Sequence, residues 1–455
     1  MNGQPTSAGA PAPATVPIAE EAGRAPRVDG HKAACPAAES FPLPGEHAGY
    51  AGHAGQPADV DVAFPLSRRG DIVPAECAWL REHRPVARVR TLAGDPAWLV
   101  STYDLATRVL DDENFSLSAT AAPGARQQYA ATFPIQIRKN LARIKDEGMR
   151  DAVMRALSPR EIKRATEHFR RRADALIGEV LAEGPPIDLK DRFTDPYTAY
   201  VMCTVLGLPD TDWRRLMSGL DISIMTAPGP FEGALANWDK GMSYMSECLR
   251  APGATDAPGL LGALARVRAG SDGTEGPGTD EHLTMTLHSL FEAGAVSTSA
   301  FLTSAVMLLL RDDDRRRWLG EHPEAIGPAV EELLRYNLSI GDALPRIASQ
   351  DTELAGTPIA AGDLVLVLVE GANHDPAVFH APDRLDLTRT PNPHLAFGSG
   401  RHYCPATALA RAHAATALTV LLRRLPALRL AIPAEEVDWR SGWIKRTPER
   451  LPVLW

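Results

Sequence analysis

The chain lacks the features that mark several large classes of protein. Its five cysteines, at positions 35, 77, 203, 248 and 404, are widely spaced and form no CxxC pair. An odd, scattered set of thiols argues against a disulfide framework and against cysteine-rich metal modules. The N-terminus has neither the basic region nor the apolar core of a signal peptide, and no apolar run reaches the roughly 20 residues that span a bilayer. These absences predict a cytoplasmic protein without a membrane segment.

The chain also lacks an excess of positive charge: its formal net charge is -9, and no strong basic run occurs. This balance excludes broad nucleic-acid binding. With 44% hydrophobic and 23% charged residues, the composition is that of a globular protein with a sizeable core. Residues 1–58 are dominated by Ala, Pro and Gly, which bury too little apolar surface to offset the entropy of ordering. We therefore expect a disordered tail over 1–58 and a folded domain over 59–455.

Most of the folded domain has helical periodicity. A short hairpin is predicted at Val86 to Ser101, where apolar and polar residues alternate around a turn. Short strands are predicted again after Leu344. The longest predicted helix runs from Asp280 to Arg311 and is apolar around much of its circumference, which indicates burial through the middle of the domain. The pattern predicts a mainly α protein with small β-sheets.

One turn-rich loop delivers a cysteine to the start of a predicted helix. It has the form FGxGxHxC, with its specified positions at Phe397, Gly398, Gly400, His402 and Cys404. The glycines permit backbone conformations and close approaches that suit a flat cofactor. Pro405 fits the first position of a helix, so we expect the helix to begin at the cysteine, where free N–H groups favour a metal-binding thiolate. A lone cysteine is more often an ordinary buried thiol, but five specified positions in register favour a ligand.

Two further patterns precede this loop. Within the long helix, Ala293 and Gly294 are small enough to let a ligand lie against the backbone, although small residues in a buried helix also serve close helix packing. Glu332 and Arg335 lie one turn apart on one face of a later helix. Most such pairs are surface ion pairs of little energetic weight.

In this order, the three patterns resemble the cytochromes P450. The resemblance implies the fold of that family, in which haem b (iron protoporphyrin IX) is sandwiched between a long central helix and the cysteine loop. Cys404 is then the axial iron ligand, whose electron donation favours O–O cleavage. Phe397, Gly398 and Gly400 line the haem. Ala406 stands where the family usually has glycine, which crowds the loop slightly without removing a ligand.

The same resemblance assigns roles to charged residues. Arg346 and His402 should pair with the haem propionates. Glu332 and Arg335 match the structural ExxR motif, and Arg384 matches the arginine that often completes its buried network.

On the oxygen side, the resemblance points to Ala293, Gly294, Ser297 and Thr298. The family usually places an acid and then a threonine after the AGx sequence, and the pair relays protons. Here these positions hold Val296 and Ser297. Proton delivery must therefore differ, and a route through Ser297 and ordered water is one way.

Within the family, most of the segment from Asp59 to Trp455 resembles the bacterial P450s that oxidise cyclodipeptides, the mycocyclosin synthase type. Residues that agree with substrate-facing positions of this group are Asn140, Trp238, Ala293 and Ser297. Positions where aliphatic or altered polar residues replace its aromatic or polar groups are Ile224, Ile340, Ile444 and Lys445. A pocket that lacks a partner for a buried phenol selects against it. We therefore expect a cyclodipeptide with an apolar or indole side chain rather than cyclo(Tyr-Tyr).

The implied activity is a radical C–C or C–N coupling that depends on O2, ferredoxin and ferredoxin reductase. Arginines near the cysteine form a possible docking face for an acidic ferredoxin, with solvated helix arginines as the equal alternative: Arg401, Arg411, Arg423 and Arg424. Alternatives to coupling are plain monooxygenase hydroxylation of a small natural product and a haem-thiolate peroxygenase. Outside these classes stands a P450-like binding module without turnover, which the presence of Cys404 disfavours.

Overall fold

The computed structural model describes residues 60–66, 69–129, 149–209, 213–218, 220, 232–270, 279–337, 339, 343–440 and 442–455. The segment 1–59, which contains the predicted tail, lies outside this part of the chain, so the predicted domain division stays a prediction.

Helices make up most of the described structure, as the periodicity predicts. Their bounds, in chain order, are α1 Ala75–His83, α2 Tyr103–Asp111, α3 Arg150–Ala156, α4 Pro159–Glu183, α5 Asp195–Leu206, α6 Trp213–Ser218, α7 Glu232–Arg250, α8 Gly259–Ala269, α9 Asp280–Leu310, α10 Asp313–Glu321, α11 Ile326–Tyr336, α12 Val369–Asn373 and α13 Thr407–Arg424.

The strands are short, as expected for a mainly α protein. They are β1 Val86–Arg90, β2 Pro96–Val100, β3 Phe115–Ser116, β4 Ile187–Asp188, β5 Leu344–Ala348, β6 Thr352–Leu354, β7 Thr357–Ile359, β8 Leu364–Val367, β9 Arg429–Leu430 and β10 Pro452–Leu454. In the described residues they form a five-stranded sheet of order β1-β2-β8-β5-β3, a three-stranded sheet β4-β10-β9 and the pair β6-β7. The predicted hairpin is confirmed, because β1 and β2 pair antiparallel with Val86 opposite Val100.

The long helix α9 forms the centre of the molecule, and its predicted bounds differ from the observed ones by one residue. It begins where Thr279 accepts a hydrogen bond from the N–H of His282 (3.4 Å). Most of its side chains are buried on several faces. In the described part of the chain, α9 is also the helix whose length and composition would allow it to cross a bilayer. Its most apolar window is 78% buried within the protein, as in the core helix of a soluble domain.

Helix α5 packs antiparallel against α9. Thr194, just before α5, shares a buried hydrogen bond of 2.8 Å with Thr303, and Ser299 donates to the carboxylate of Asp195. Helix α13 lies against α4, where the rings of His413 and Phe169 have centroids 6.3 Å apart, and against α5, where the Tyr197 hydroxyl donates to the carbonyl of His413 (3.2 Å). These contacts fix the central helix relative to the helix that follows the cysteine.

Candidate functional site

The cysteine loop is held by its own backbone. The N–H of Cys404 donates to the carbonyl of Phe397 (3.0 Å), and the N–H of Tyr403 donates to the carbonyl of Gly400 (3.0 Å) across a 3-10 turn. These bonds fold the segment back on itself before α13 begins. The sulfur is therefore presented from a closed, backbone-braced loop.

Glycine is needed at the two loop positions, 398 and 400, for different reasons. Both have left-handed backbone conformations, with φ of 71° at Gly398 and 66° at Gly400. A Cβ on Gly398 would meet open space, whereas one on Gly400 would lie 2.7 Å from the Asp111 carboxylate and 2.8 Å from the Leu110 carbonyl. Ser399 also donates to Asp111 (2.5 Å). Gly400 is thus required for docking the loop onto α2, whereas the open space beside Gly398 suits a flat cofactor.

The predicted helix start at Cys404 is wrong. Helix α13 begins at Thr407, and Pro405 lies in a turn before it. The backbone N–H groups at the helix start are therefore displaced from the sulfur by three residues, and the dipole favours the thiolate less than expected.

Electrostatics at the thiol reflect this geometry. Burial raises the pKa of Cys404, while the N–H of Ala406 and the charges of Lys445 and Arg411 act in the opposite direction. A bound iron cation is the influence that would favour the thiolate, since coordinating thiols are deprotonated. The influence of the Lys445 charge on Cys404 indicates that the C-terminal segment lies near the cysteine.

A buried guanidinium provides the clearest test of fit for haem. Arg346, on β5, is 4% exposed, donates from Nη1 to the carbonyl of Pro345 (2.8 Å), and has no hydrogen-bond partner for Nε within the described residues. Burial lowers its pKa to about 10. A cation in this position requires an anion. A haem propionate supplies one, so Arg346 and Cys404 together fit the cofactor, and His402 lies half-buried in the same loop.

The predicted oxygen-side residues lie on α9. Ala293 is exposed in this otherwise buried helix, and Ser297 is half-buried with its hydroxyl donating to the carbonyl of Ala293. Thr298 is 8% exposed. Gly294 has another role, because a Cβ there would lie 2.2 Å from the sulfur of Met202 on α5. At Gly294 the structure therefore supports close helix packing, while Ala293 and Ser297 border open space.

The predicted substrate residues are only partly testable. Ile444 and Lys445 are half-buried in the C-terminal segment. Trp238, on α7, is 5% exposed and packs against His288 of α9, with ring centroids 4.2 Å apart. Its ring therefore packs against the central helix, and its substrate-facing role stays a prediction. Three further predicted residues lie outside the described part of the chain: Asn140, Ile224 and Ile340.

The ExxR pair is confirmed as a buried structural network. Glu332 and Arg335 have fully buried side chains and form two hydrogen bonds of 2.8 Å. The assignment of Arg384 as the completing side chain is wrong. Arg389 donates to Glu332 (3.0 Å), and Arg384 contributes only its carbonyl, which accepts from both other arginines. Asn392 adds a fourth donor (3.1 Å).

A second network on the cysteine side was not predicted. Glu331 accepts two hydrogen bonds from Arg411 (2.6 and 2.8 Å) and one from His394 (3.2 Å). Burial opposes ionisation of Glu331, but these partners outweigh it and lower its pKa to about 2. Arg411 also lies over the ring of Phe397 (4.9 Å). The sequence signal for this network was the second glutamate, Glu331, directly before Glu332 of the ExxR motif. Through its bonds to His394 and Arg411, Glu331 connects α11 to the segments on either side of the cysteine.

Comparison with known proteins agrees with this geometry. The family model for cytochrome P450 matches residues 327–429. Mycocyclosin synthase of Mycobacterium tuberculosis is 42% identical over 400 residues, covering 88% of this chain and 100% of the relative. Mycinamicin IV hydroxylase/epoxidase of Micromonospora griseorubida is 34% identical, covering 83% and 94%.

A solved structure shows the same fold. The LnmA cytochrome P450 hydroxylase from the leinamycin biosynthetic pathway of Streptomyces atroolivaceus aligns with a TM-score of 0.75 and 32% identity over 86% of this chain and 100% of that one. The predicted fold and the resemblance to P450s of the mycocyclosin synthase type are confirmed. The chain therefore belongs to the cytochromes P450, a family of oxidoreductases that hold haem b.

Proposed function

We propose that the protein oxidises a cyclodipeptide and joins an aromatic ring of it to a second ring through a new C–C or C–N bond. The observation that carries this proposal is the 42% identity to mycocyclosin synthase, which extends over the full length of that relative. The finer choice of substrate rests on Ile444 and Lys445, two positions where this chain differs from P450s of the mycocyclosin synthase type.

The proposed reaction balances as an oxidation without oxygen insertion. Two ring hydrogens leave the substrate, one new bond forms, and O2 with two electrons and two protons becomes two waters. Bound haem supplies the oxygen chemistry. The chain has the remaining tasks, which are to hold the rings at the open face of α9 near Ala293 and Ser297, to exclude bulk water and to deliver protons.

We propose that the substrate carries an apolar or indole side chain rather than two phenols. Ile444 offers no hydrogen bond to a buried hydroxyl, and Lys445 is a single flexible ammonium. Leaving a phenol without its partner costs about 1–3 kcal/mol. Trp238 packs on His288 of α9, and we propose that it shapes the substrate site through its bulk.

Electron supply is proposed to come from a ferredoxin and its reductase, which implies a cytoplasmic location. Of the arginines considered for docking, Arg423 and Arg424 both pair with Asp174 (2.8 and 3.1 Å) and Arg411 pairs with Glu331. Arg401 pairs with Glu113 (3.9 Å), and its side chain is 62% exposed. We assign the main docking charge to Arg401 because its side chain is the most exposed of these four arginines.

Hydroxylation is the second candidate, because mycinamicin IV hydroxylase/epoxidase is 34% identical. The two functions differ in their products, since coupling removes two hydrogens whereas hydroxylation adds an oxygen atom. A haem-thiolate peroxygenase would turn over with peroxide and without any reductase.

The test is a difference titration of the ferric holoprotein with a panel including cyclo(Trp-Trp), cyclo(Trp-Leu) and cyclo(Tyr-Tyr), followed by mass spectrometry of turnover with ferredoxin, reductase and NADPH. We expect saturable shifts with tryptophan-containing members and a product with two hydrogens fewer than the one molecule, or the two molecules, from which it forms. The variant carrying Ile444→Gln and Lys445→Arg should gain affinity for cyclo(Tyr-Tyr) by about tenfold or more. Binding of no cyclodipeptide by protein with a normal thiolate carbonyl spectrum would refute the substrate proposal.

A further inference from the structure

A charged cleft of about 360 Å³ lies against the central helix where the family usually places its acid. Val296, Ser299 and Ala300 of α9 form one side of it. The other sides come from the turn 190–195, from α6 and from the C-terminal segment 440–449. Val296 itself offers no titratable group, so any proton held here must be held by another residue.

Asp195 is the carboxylate in this cleft that is bonded to the central helix. Its Oδ1 accepts a hydrogen bond from the hydroxyl of Ser299, and its Oδ2 accepts one from Nζ of Lys190 (2.7 Å). The side chains of Lys190 and Asp195 are 15% and 18% exposed. The carboxylate is thus fixed in position on α9 and still reaches the water of the cleft.

Lys445 is shared between the cleft and the surroundings of the cysteine. It lines the cleft, and although burial raises the pKa of Cys404, the charge of Lys445 acts in the opposite direction. Along α9, Val296 borders the cleft, and the next residue, Ser297, is half-buried and donates to the exposed Ala293. Neighbouring residues on a helix lie about 100° apart, so Val296 lies at the boundary between the cleft and the face of α9 that carries Ala293 and Ser297.

We propose that Asp195 is the proton-holding group of the reaction, replacing from α5 the acid that is absent at Val296. The carboxylate takes one proton from the cleft beside Lys190 and passes that proton through water towards the hydroxyl of Ser297, which leaves the carboxylate ionised again. Each passage returns Asp195 to its starting form and changes no oxidation state. The inference rests on the oxygen chemistry of the family and does not require a cyclodipeptide substrate.

Four other charged residues that line the cleft form ion pairs with one another. Arg214 pairs with Asp191 (3.2 Å), and Arg440 pairs with Glu449 (3.1 Å). The side chains of Asp191 and Glu449 are 50% and 54% exposed. Asp191 is therefore a suitable control, because it is a carboxylate of the same cleft that pairs with Arg192 and Arg214.

The first experiment compares Asp195→Asn with Asp191→Asn in holoenzyme, using cyclo(Trp-Trp), O2 and the ferredoxin system. We expect Asp195→Asn to lower product formation about 100-fold and to raise the solvent isotope effect, whereas Asp191→Asn stays near wild type. Turnover driven by hydrogen peroxide, which brings its own protons, should change little in either variant. Adding Val296→Asp to Asp195→Asn should restore most of the O2-driven rate, because it returns an acid to the helix.

A purely structural role for Asp195 predicts the opposite pattern. Asp195→Asn would then lower both O2-driven and peroxide-driven turnover along with the melting temperature, and Val296→Asp would rescue neither. That result would overturn the proposal.

A crystal structure of the holoenzyme gives a readout independent of turnover. We expect ordered waters that link the Asp195 carboxylate to the Ser297 hydroxyl, with the link interrupted in Ser299→Ala as the carboxylate swings away. A dry, sealed boundary between cleft and pocket would reject the route. Because this readout needs no substrate, failure of cyclo(Trp-Trp) to react would count against the cyclodipeptide proposal alone.

Discussion

Removal of the carboxylate at Glu332 should be the most destabilising single change among the charged residues of the haem side. Glu332 accepts hydrogen bonds from the side chains of Arg335, Arg389 and Asn392 and from the N–H of Asp386 (2.9 Å). The side chains of Glu332 and Arg335 are fully buried, and that of Arg389 is 9% exposed. Glu332→Ala therefore leaves two guanidinium groups without their carboxylate in a dry environment.

Breaking one buried ion pair by removing one partner costs about 3–5 kcal/mol. Here a single carboxylate serves two arginines, so we expect a loss of about 5 kcal/mol in the free energy of unfolding. A typical domain has only about 5–15 kcal/mol in total, so the variant should fold poorly at 37 °C and retain little haem.

Glu167→Ala is the matched control. Glu167 also pairs with an arginine three residues along a helix, Arg170, but their side chains are 54% and 44% exposed. Exposed pairs of this kind contribute about 0–1 kcal/mol. The assay is urea unfolding of the purified holoproteins at one salt concentration, followed by circular dichroism with haem absorbance recorded in parallel.

A double-mutant cycle with Arg335→Ala sharpens the test. If the cost arises from stranded charge, the double variant should lose clearly less than the sum of the two single variants, since Arg335 is no longer left without its carboxylate, while Arg389 is left so in both variants that lack Glu332. Additive losses, or a loss for Glu332→Ala no larger than for Glu167→Ala, would show that the network does not carry the stability assigned to it.

Three further changes test the site and the core. Cys404→Ser should abolish the thiolate signature of the reduced carbonyl complex while the far-ultraviolet circular dichroism is kept; an unchanged spectrum would exclude Cys404 as the ligand. Arg346→Leu should weaken haem retention about 10–150-fold, from the 1.5–3 kcal/mol of a charged hydrogen bond, and Arg346→Lys should lose less; equal losses would contradict the propionate pairing. His413 is fully buried and burial lowers its pKa to about 3, so the unfolded chain binds more protons and stability falls as pH drops from about 6.5 towards 3; His413→Leu should remove about 2 kcal/mol of that loss at pH 5, and an unchanged acid limb in urea melts would refute it.

The sequence predicts the central helix well because its apolar residues occupy nearly every face over many turns. The predicted span ends at Arg311 and the observed helix at Leu310. A shorter element was missed. The run from Leu364 to Glu370 has the β-branched residues of a strand, yet β8 ends at Val367 and α12 follows from Val369. Such a short helix depends on tertiary contacts, such as the bond from Arg81 to the carbonyl of Gly371 (2.9 Å), which local propensity does not encode.

Site residues were predictable where one motif determines both the residue and its partner. Cys404 and the pair formed by Glu332 and Arg335 belong to this class. Arg384 and Arg389 lie five residues apart in the same irregular segment, and the path of the backbone decides which guanidinium meets Glu332. Gly294 likewise satisfies a ligand and a packing role equally well until Met202 is seen against it.

The absent acid at position 296 shows why a missing residue in a motif is weak evidence about mechanism. A linear pattern registers a carboxylate only when it comes from the same helix, whereas a proton needs only a carboxylate at a suitable point in space. Ser299 meets its carboxylate 104 residues away in sequence, through the antiparallel packing of α5 on α9. If the proposal for Asp195 holds, this chain supplies the carboxylate from α5 instead of from α9. Relatives that lack the acid on the central helix should therefore be examined first for a carboxylate on the helix packed against it.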